Sequence, residues 1–164
     1  MKLQKLTLKG YAKAIGIGIA TAVLLSLILV PAFMAGISPM PKPLGLVFAQ
    51  LLLGAVPLPV GLLFHVAYVT FWSVIFVVYF EQRTFMKALW LGLGLWLLVL
   101  VLFYPLVGWG FFGLLVSPML IIASLLLHVL FALFLWGLCR WAFPVDAPGR
   151  TVRESSHRDT AFPT

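Results

Sequence analysis

The sequence predicts an all-α integral membrane protein with four transmembrane helices. They form two tandem two-helix units joined by Pro/Gly-rich connectors that are interfacial or re-entrant. Two observations carry most of this. Only 9% of the 164 residues are charged, against about 25% in a soluble domain, so the surface cannot face water all round. The charges are also confined. Segments 43–80 and 88–139 contain no Asp, Glu, Lys or Arg, and each is longer than the roughly 20 apolar residues that cross hydrocarbon. Runs of that length have to fold back within the bilayer.

The chain starts with "MKLQKLTLKGYAK", which carries Lys2, Lys5, Lys9 and Lys13. The apolar run that follows exceeds the roughly 7–15 residues of a signal-peptide core, although Val30–Ala32 would make a passable cleavage site. Within it, Ala14, Gly18, Ala22 and Ser26 recur every four residues, with Ala12, Gly16 and Ala20 beside them. Small residues at that spacing form a ridge against which a second membrane helix packs closely. A discarded leader needs no such ridge, so the reading is an uncleaved first span over about 14–35.

"ISPMPKPLG" then breaks the helix with three prolines. "LVFAQLLLGAVPLP" is too short to cross about 30 Å at about 1.5 Å per residue. It reads as an interfacial or re-entrant segment ended by Pro57 and Pro59. The second span covers about 60–80, and "EQRTFMK" is a short charged loop. The third span, about 88–106, ends at Tyr104–Pro105. "LVGWGFFGLLVSP" is an uncharged connector whose aromatics suit the interface. The fourth span, about 119–141, ends at Cys139–Arg140–Trp141. The polar stretch 142–164, with its Pro and Gly, has the composition of a disordered tail.

The net charge of +7 does not point to nucleic acid, because the basic residues flank apolar spans and form no stripe on a soluble domain. Four lie in the N-terminal arm, Arg83 and Lys87 in the central loop, and Arg140, Arg150, Arg153 and Arg158 at the C-terminal end. The other two connectors hold only Lys42. The positive-inside rule then puts both termini and the central loop in the cytoplasm of a bacterial cell, with the chain multi-pass in the inner membrane. Trp90 and Trp141 fall near the inner interface and Trp109 near the outer one. The lone cysteine, Cys139, cannot form an intrachain disulfide and reads as a packing residue.

Three short words recur in the same order in both halves. "IGIGI" (15–19) answers "LGLGL" (91–95), "SPM" occurs at 38–40 and 117–119, and "LLFHV" (62–66) answers "LLLHV" (125–129). The spacing differs by an insertion between "SPM" and the first histidine. As tandem two-helix units they would be related by an axis along the membrane normal, with His65 and His128 at similar depth in the outer half. The arrangement resembles several uncharacterised families of small four-helix bacterial inner-membrane proteins, whose second and fourth helices carry a histidine after a glycine and apolar lead-in. Here "VGLLFHVAY" around His65 and "SLLLHVLFA" around His128 carry the likeness. It covers most of the membrane part, without the tail or "SPMPKPLGLVFAQ", and implies a fold but no activity.

An ionisable residue inside a span is a functional-site hypothesis by default. Tyr68, Trp72 and Tyr79 follow His65 at i+3, i+7 and i+14, on one helix face able to offer hydrogen bonds. The matching face from His128 reads Phe131, Ala132, Leu135 and Cys139, which is more apolar. The plainest role for either histidine is a tether, donating to a carbonyl or hydroxyl on another helix. Alternatively, two imidazoles on facing helices could ligate haem b. A copper site would add Met40 and Met119, and Met34 beyond them. His65 and Tyr68 could also relay protons.

Enzyme chemistry fares worst. The only acids, Glu81, Asp146, Glu154 and Asp159, lie outside the spans, and there is no carboxylate pair or nucleophile with a base. The resulting expectation is a non-catalytic accessory or binding subunit. Its partners are the lipid bilayer and other membrane helices, in a hetero-complex or homo-oligomer. The alternatives are a haem- or metal-binding electron-transfer protein and a small channel or transporter. If one histidine carries the function, the expectation is His65.

Overall fold

A computed structural model describes residues 7–143. Lys2, Lys5 and the predicted tail from residue 144 onward lie outside the described residues. The fold is all-α, with four helices long and apolar enough to cross a membrane. They are α1 (Leu8–Met34), α3 (Leu58–Tyr79), α4 (Phe85–Leu106) and α5 (Met119–Ala142). A shorter apolar helix, α2 (Leu44–Leu53), lies between α1 and α3. The chain is therefore a small polytopic membrane protein.

The first span begins six residues earlier than hydropathy suggests, and the reason is local. The Thr7 hydroxyl accepts the Gly10 N–H at 3.2 Å, which caps the helix and carries Lys9 and Lys13 on it. Thr84 caps α4 in the same way through Lys87 N–H. Pro57 precedes α3 and Pro59 sits in its first turn, where a missing N–H costs no helix bond. Inside α4, Val99–Phe103 forms a wide π-helical turn just before Pro105. Proline cannot donate back up the helix; within the wider turn Val99 and Leu100 are buried, while Leu102 is exposed.

The helices pair as α1 with α3 and α4 with α5, and α1 also packs on α5. Around the bundle the order is therefore α3, α1, α5, α4. Among the described residues α3 and α4 hardly touch, and a gap separates them. Helix α2 packs on α3 and occupies one end of that gap. At the crossing, a Cβ on Gly61 would stand 2.5 Å from the Leu46 Cα, and Gly45 lies against Gly61 and His65. Gly45 therefore sits roughly 5–10 Å inward from the start of α3, at about 1.5 Å per residue. Helix α2 thus lies against the first two turns of α3.

The small-residue ridge of α1 is used within the chain. Ala14, Gly18 and Ala22 are buried, while Ser26 is half-buried. A Cβ on Gly18 would meet the Thr70 Cα of α3 at 2.6 Å. The companion row faces outward, with Ala12 and Gly16 exposed. A core joining α1, α3, α4 and α5 is built around Phe76, Ala132 and Leu135. Three buried hydroxyls bond within their own helices: Thr21 donates to the Ile17 carbonyl at 2.8 Å, Ser73 to Val69 at 2.7 Å and Ser124 to Leu120 at 2.6 Å. Such internal satisfaction is what a water-free surround demands.

One end of the bundle is basic. Lys13 Nζ donates to the Ala142 carbonyl at 3.1 Å, and the Arg83 guanidinium lies 4.3 Å from the centre of the Phe143 ring. Arg140 lies over Trp136 on the last turn of α5. At the other end, Trp109, expected near the outer interface, is buried within the protein. Its ring packs on Tyr104 at 5.4 Å, and its backbone N–H donates to the Tyr104 carbonyl at 2.8 Å. Phe111, Phe112 and Leu115 are exposed in its place. The left-handed conformation of Phe112 (φ 58°) between Gly110 and Gly113 makes that turn.

Candidate functional site

The gap between α3 and α4 is a cavity of about 310 Å³, lined almost wholly by apolar side chains. His65 and His128 both line it. His65 is the eighth residue of α3 and His128 the tenth of α5, which puts them roughly 10 and 13 Å from the low-charge ends of their helices. The fold thus brings together two histidines that are distant in the chain. The bundle order explains it: α3 and α5 flank α1, and both turn their histidines across it.

The two imidazoles are held differently. His128 Nδ1 lies 2.7 Å from the Ser124 carbonyl, one turn back on the same helix. A carbonyl only accepts, so Nδ1 carries the proton and the neutral ring leaves Nε2 as an acceptor. This bond does not tie two helices, so His128 is not the tether expected from sequence. Gly92 of α4 allows the close approach there, since a Cβ on it would be 2.7 Å from the His128 carbonyl oxygen. His65 packs beside the Ala22 backbone of α1. Its Nε2 is buried and has no hydrogen-bond partner among the described residues. A buried polar atom without a partner is costly in an apolar surround, and this one belongs to a cavity.

Of the other candidates, Tyr68 and Trp72 line the same cavity, with their rings edge to face at 6.3 Å. They do not turn fully into the bundle: Tyr68 is 39% exposed and stands at the rim. Tyr79 is at the end of α3, 37% exposed and away from the cavity. Met40 is buried and lines the cavity, whereas Met119, at the start of α5, is 57% exposed and does not. Met34 is also exposed. A copper set therefore keeps His65, His128 and Met40 only. Among the described residues no three His, Cys, Asp or Glu side chains come together.

The cavity opens sideways. Its exposed members, Tyr68 on α3 and Leu98, Leu102 and Leu106 on α4, frame a mouth on the flank of the bundle, on the surface that contacts lipid. Its other end is closed by α2. The Phe48 ring lies 5.8 Å from Phe64 of α3 and 5.5 Å from Phe103 of α4, so one aromatic side chain bridges the gap.

Comparison with protein-family models, curated proteins and solved structures finds no match to this chain. The site therefore rests on its own geometry.

Sequence reasoning missed α2 as part of the site. The signal was present: "PLGLVF" (43–48) recurs sixteen residues on as "PVGLLF" (59–64). The two copies pack on each other, glycine against backbone and Phe48 against Phe64. The Gly-x-Gly words are less alike in space than in sequence. Aligned, Gly16 matches Gly92, yet Gly18 and Gly92 are the packed residues, while Gly16 and Gly94 meet nothing within 4 Å.

Proposed function

We propose that this chain is a non-catalytic binding subunit of a bacterial inner-membrane assembly, holding a small apolar molecule drawn from the lipid phase. The observation that carries this reading is the laterally open apolar cavity onto which both intramembrane histidines converge. A pocket with a few convergent polar groups in an apolar wall is the usual form of a small-molecule site. Its lining holds no Asp, Glu, Lys or Arg, and the spans carry no acid, which argues against an ion path. The basic end formed by Lys13, Arg83, Lys87 and Arg140 supports a cytoplasmic placement of that end, which leaves the histidines in the outer half. The pairing of α1 with α3 and of α4 with α5 supports tandem two-helix units.

The second reading is haem or copper. In its favour, His128 holds its Nδ1–H on a backbone carbonyl, as metal-ligating histidines do. Against haem stands the size of the cavity. A space of about 150 Å³ holds one benzene ring, so about 310 Å³ holds two rings, not a four-ring macrocycle with its two carboxylates. No cation lines the cavity to meet those carboxylates.

The test is extraction of the full-length protein with its native lipid, followed by mass spectrometry of the organic extract. One neutral compound is expected in near-stoichiometric amount, and it should be depleted when Leu98→Trp obstructs the mouth. Bulk phospholipid alone, in equal amount from both proteins, would refute the reading.

A further inference from the structure

The chemistry of the cavity narrows its ligand, taking the binding reading above as given. The wall holds no charged side chain. Burying an ionised carboxylate or phosphate there without a partner is prohibitive, so the ligand is neutral. The mouth between Tyr68 and Leu98 faces lipid, so the ligand dissolves in the bilayer and can leave a chain trailing in it. The volume suits one substituted ring or a fused pair, on the benzene scale given above.

The two imidazoles set the polar pattern. His128 cannot use Nδ1, because the Ser124 carbonyl takes its proton at 2.7 Å. Its Nε2 in the neutral form therefore only accepts, and it needs an O–H or N–H from the ligand. His65 Nε2 is buried without a partner among the described residues and needs one as well. A purely accepting ligand, such as an ester or an ether, leaves His128 unsatisfied. We infer that the cavity binds the ring of a hydroquinone-type lipid, with one ring hydroxyl donating to His128 Nε2 and the second oxygen paired with His65 Nε2. Aromatic walls on both sides, Trp72 and Phe103, suit a flat ring. The same chemistry predicts that the reduced, dihydroxy form binds more tightly than the oxidised dicarbonyl, which has no proton to give His128.

The experiment uses the full-length protein in phosphatidylcholine nanodiscs. Two probes are titrated: a short-chain dimethoxy-methyl hydroquinone kept reduced, and its dimethyl ether, which has the same ring but no donor. The readout is quenching of tryptophan emission, assigned to the cavity by its loss in Trp72→Phe. Saturable binding of the hydroquinone is expected, with the ether about tenfold weaker, as one forfeited hydrogen bond implies. His128→Phe should remove that difference, and the comparison on the unaltered protein decides even if the variant does not fold. Equal binding of the two probes would overturn the hydroquinone assignment and leave the apolar-ligand reading standing. Failure of both probes to saturate would overturn the assignment as well. The native-lipid extraction then decides separately whether the cavity binds anything.

Discussion

Substituting alanine for Gly18 tests the packing that positions the site. The added Cβ would stand 2.6 Å from the Thr70 Cα, whereas carbon atoms pack at about 3.5–4.0 Å. The obstacle is backbone, which no rotamer change can clear, so α1 and α3 must part by about 1 Å. Overpacking of this kind costs about 1–3 kcal/mol, while alanine recovers up to about 1 kcal/mol of helix propensity over glycine. Gly16→Ala is the control, since nothing lies within 4 Å of that Cβ and only the propensity gain remains. The second word repeats the design: Gly92→Ala drives a Cβ to 2.7 Å from the His128 carbonyl oxygen, and Gly94→Ala meets nothing. The assay is unfolding in mixed micelles with increasing SDS, followed by tryptophan fluorescence. Within each pair the inward glycine should prove less tolerant by about 1–3 kcal/mol. Equal shifts for Gly16 and Gly18 would refute the close α1–α3 contact.

Phe48→Ala should remove two ring contacts, each worth about 0.5–1.5 kcal/mol, and release α2 from the gap. Hydrogen exchange is then expected to accelerate in Leu44–Leu53 while the middle of α1 stays protected, and unchanged exchange in α2 would contradict its bridging role. In a Cys139→Ser background, an impermeant thiol reagent added outside intact cells should label Ser38→Cys and not Gln82→Cys. The reverse pattern would overturn the orientation. The optical spectrum of the gently solubilised protein should show no Soret band. A band abolished by both His65→Ala and His128→Ala would favour the haem reading over the hydroquinone one.

Much of the architecture was legible because hydrocarbon imposes simple rules. Charge-free runs bounded by prolines and lysines located all four spans, with α3 and α5 placed to within a residue or two. The start of α1 was not visible to hydropathy, because the cap on Thr7 extends the helix through two lysines. Spacing gave no sign that Trp109 is buried within the protein. The contact with Tyr104 and the turn through Gly108 and Gly110 decided its position. Tyr79 shares a helical face with His65 by spacing alone, yet four turns of α3 carry it out of the cavity.

The sequence by itself determined that this is a four-span membrane protein, which end of it is basic, and that two histidines lie at similar depth. These follow from composition and periodicity, which act locally along the chain. Only the tertiary structure decided that the two histidines share one cavity, that α2 closes it, and that one imidazole is bonded within its own helix while the other has a buried Nε2 without a partner among the described residues. Those outcomes depend on the order in which the helices pack. That order is set by a few close approaches, Gly18 on Thr70, Gly61 on Leu46 and Gly92 on His128, between residues that neither hydropathy nor helical periodicity relates.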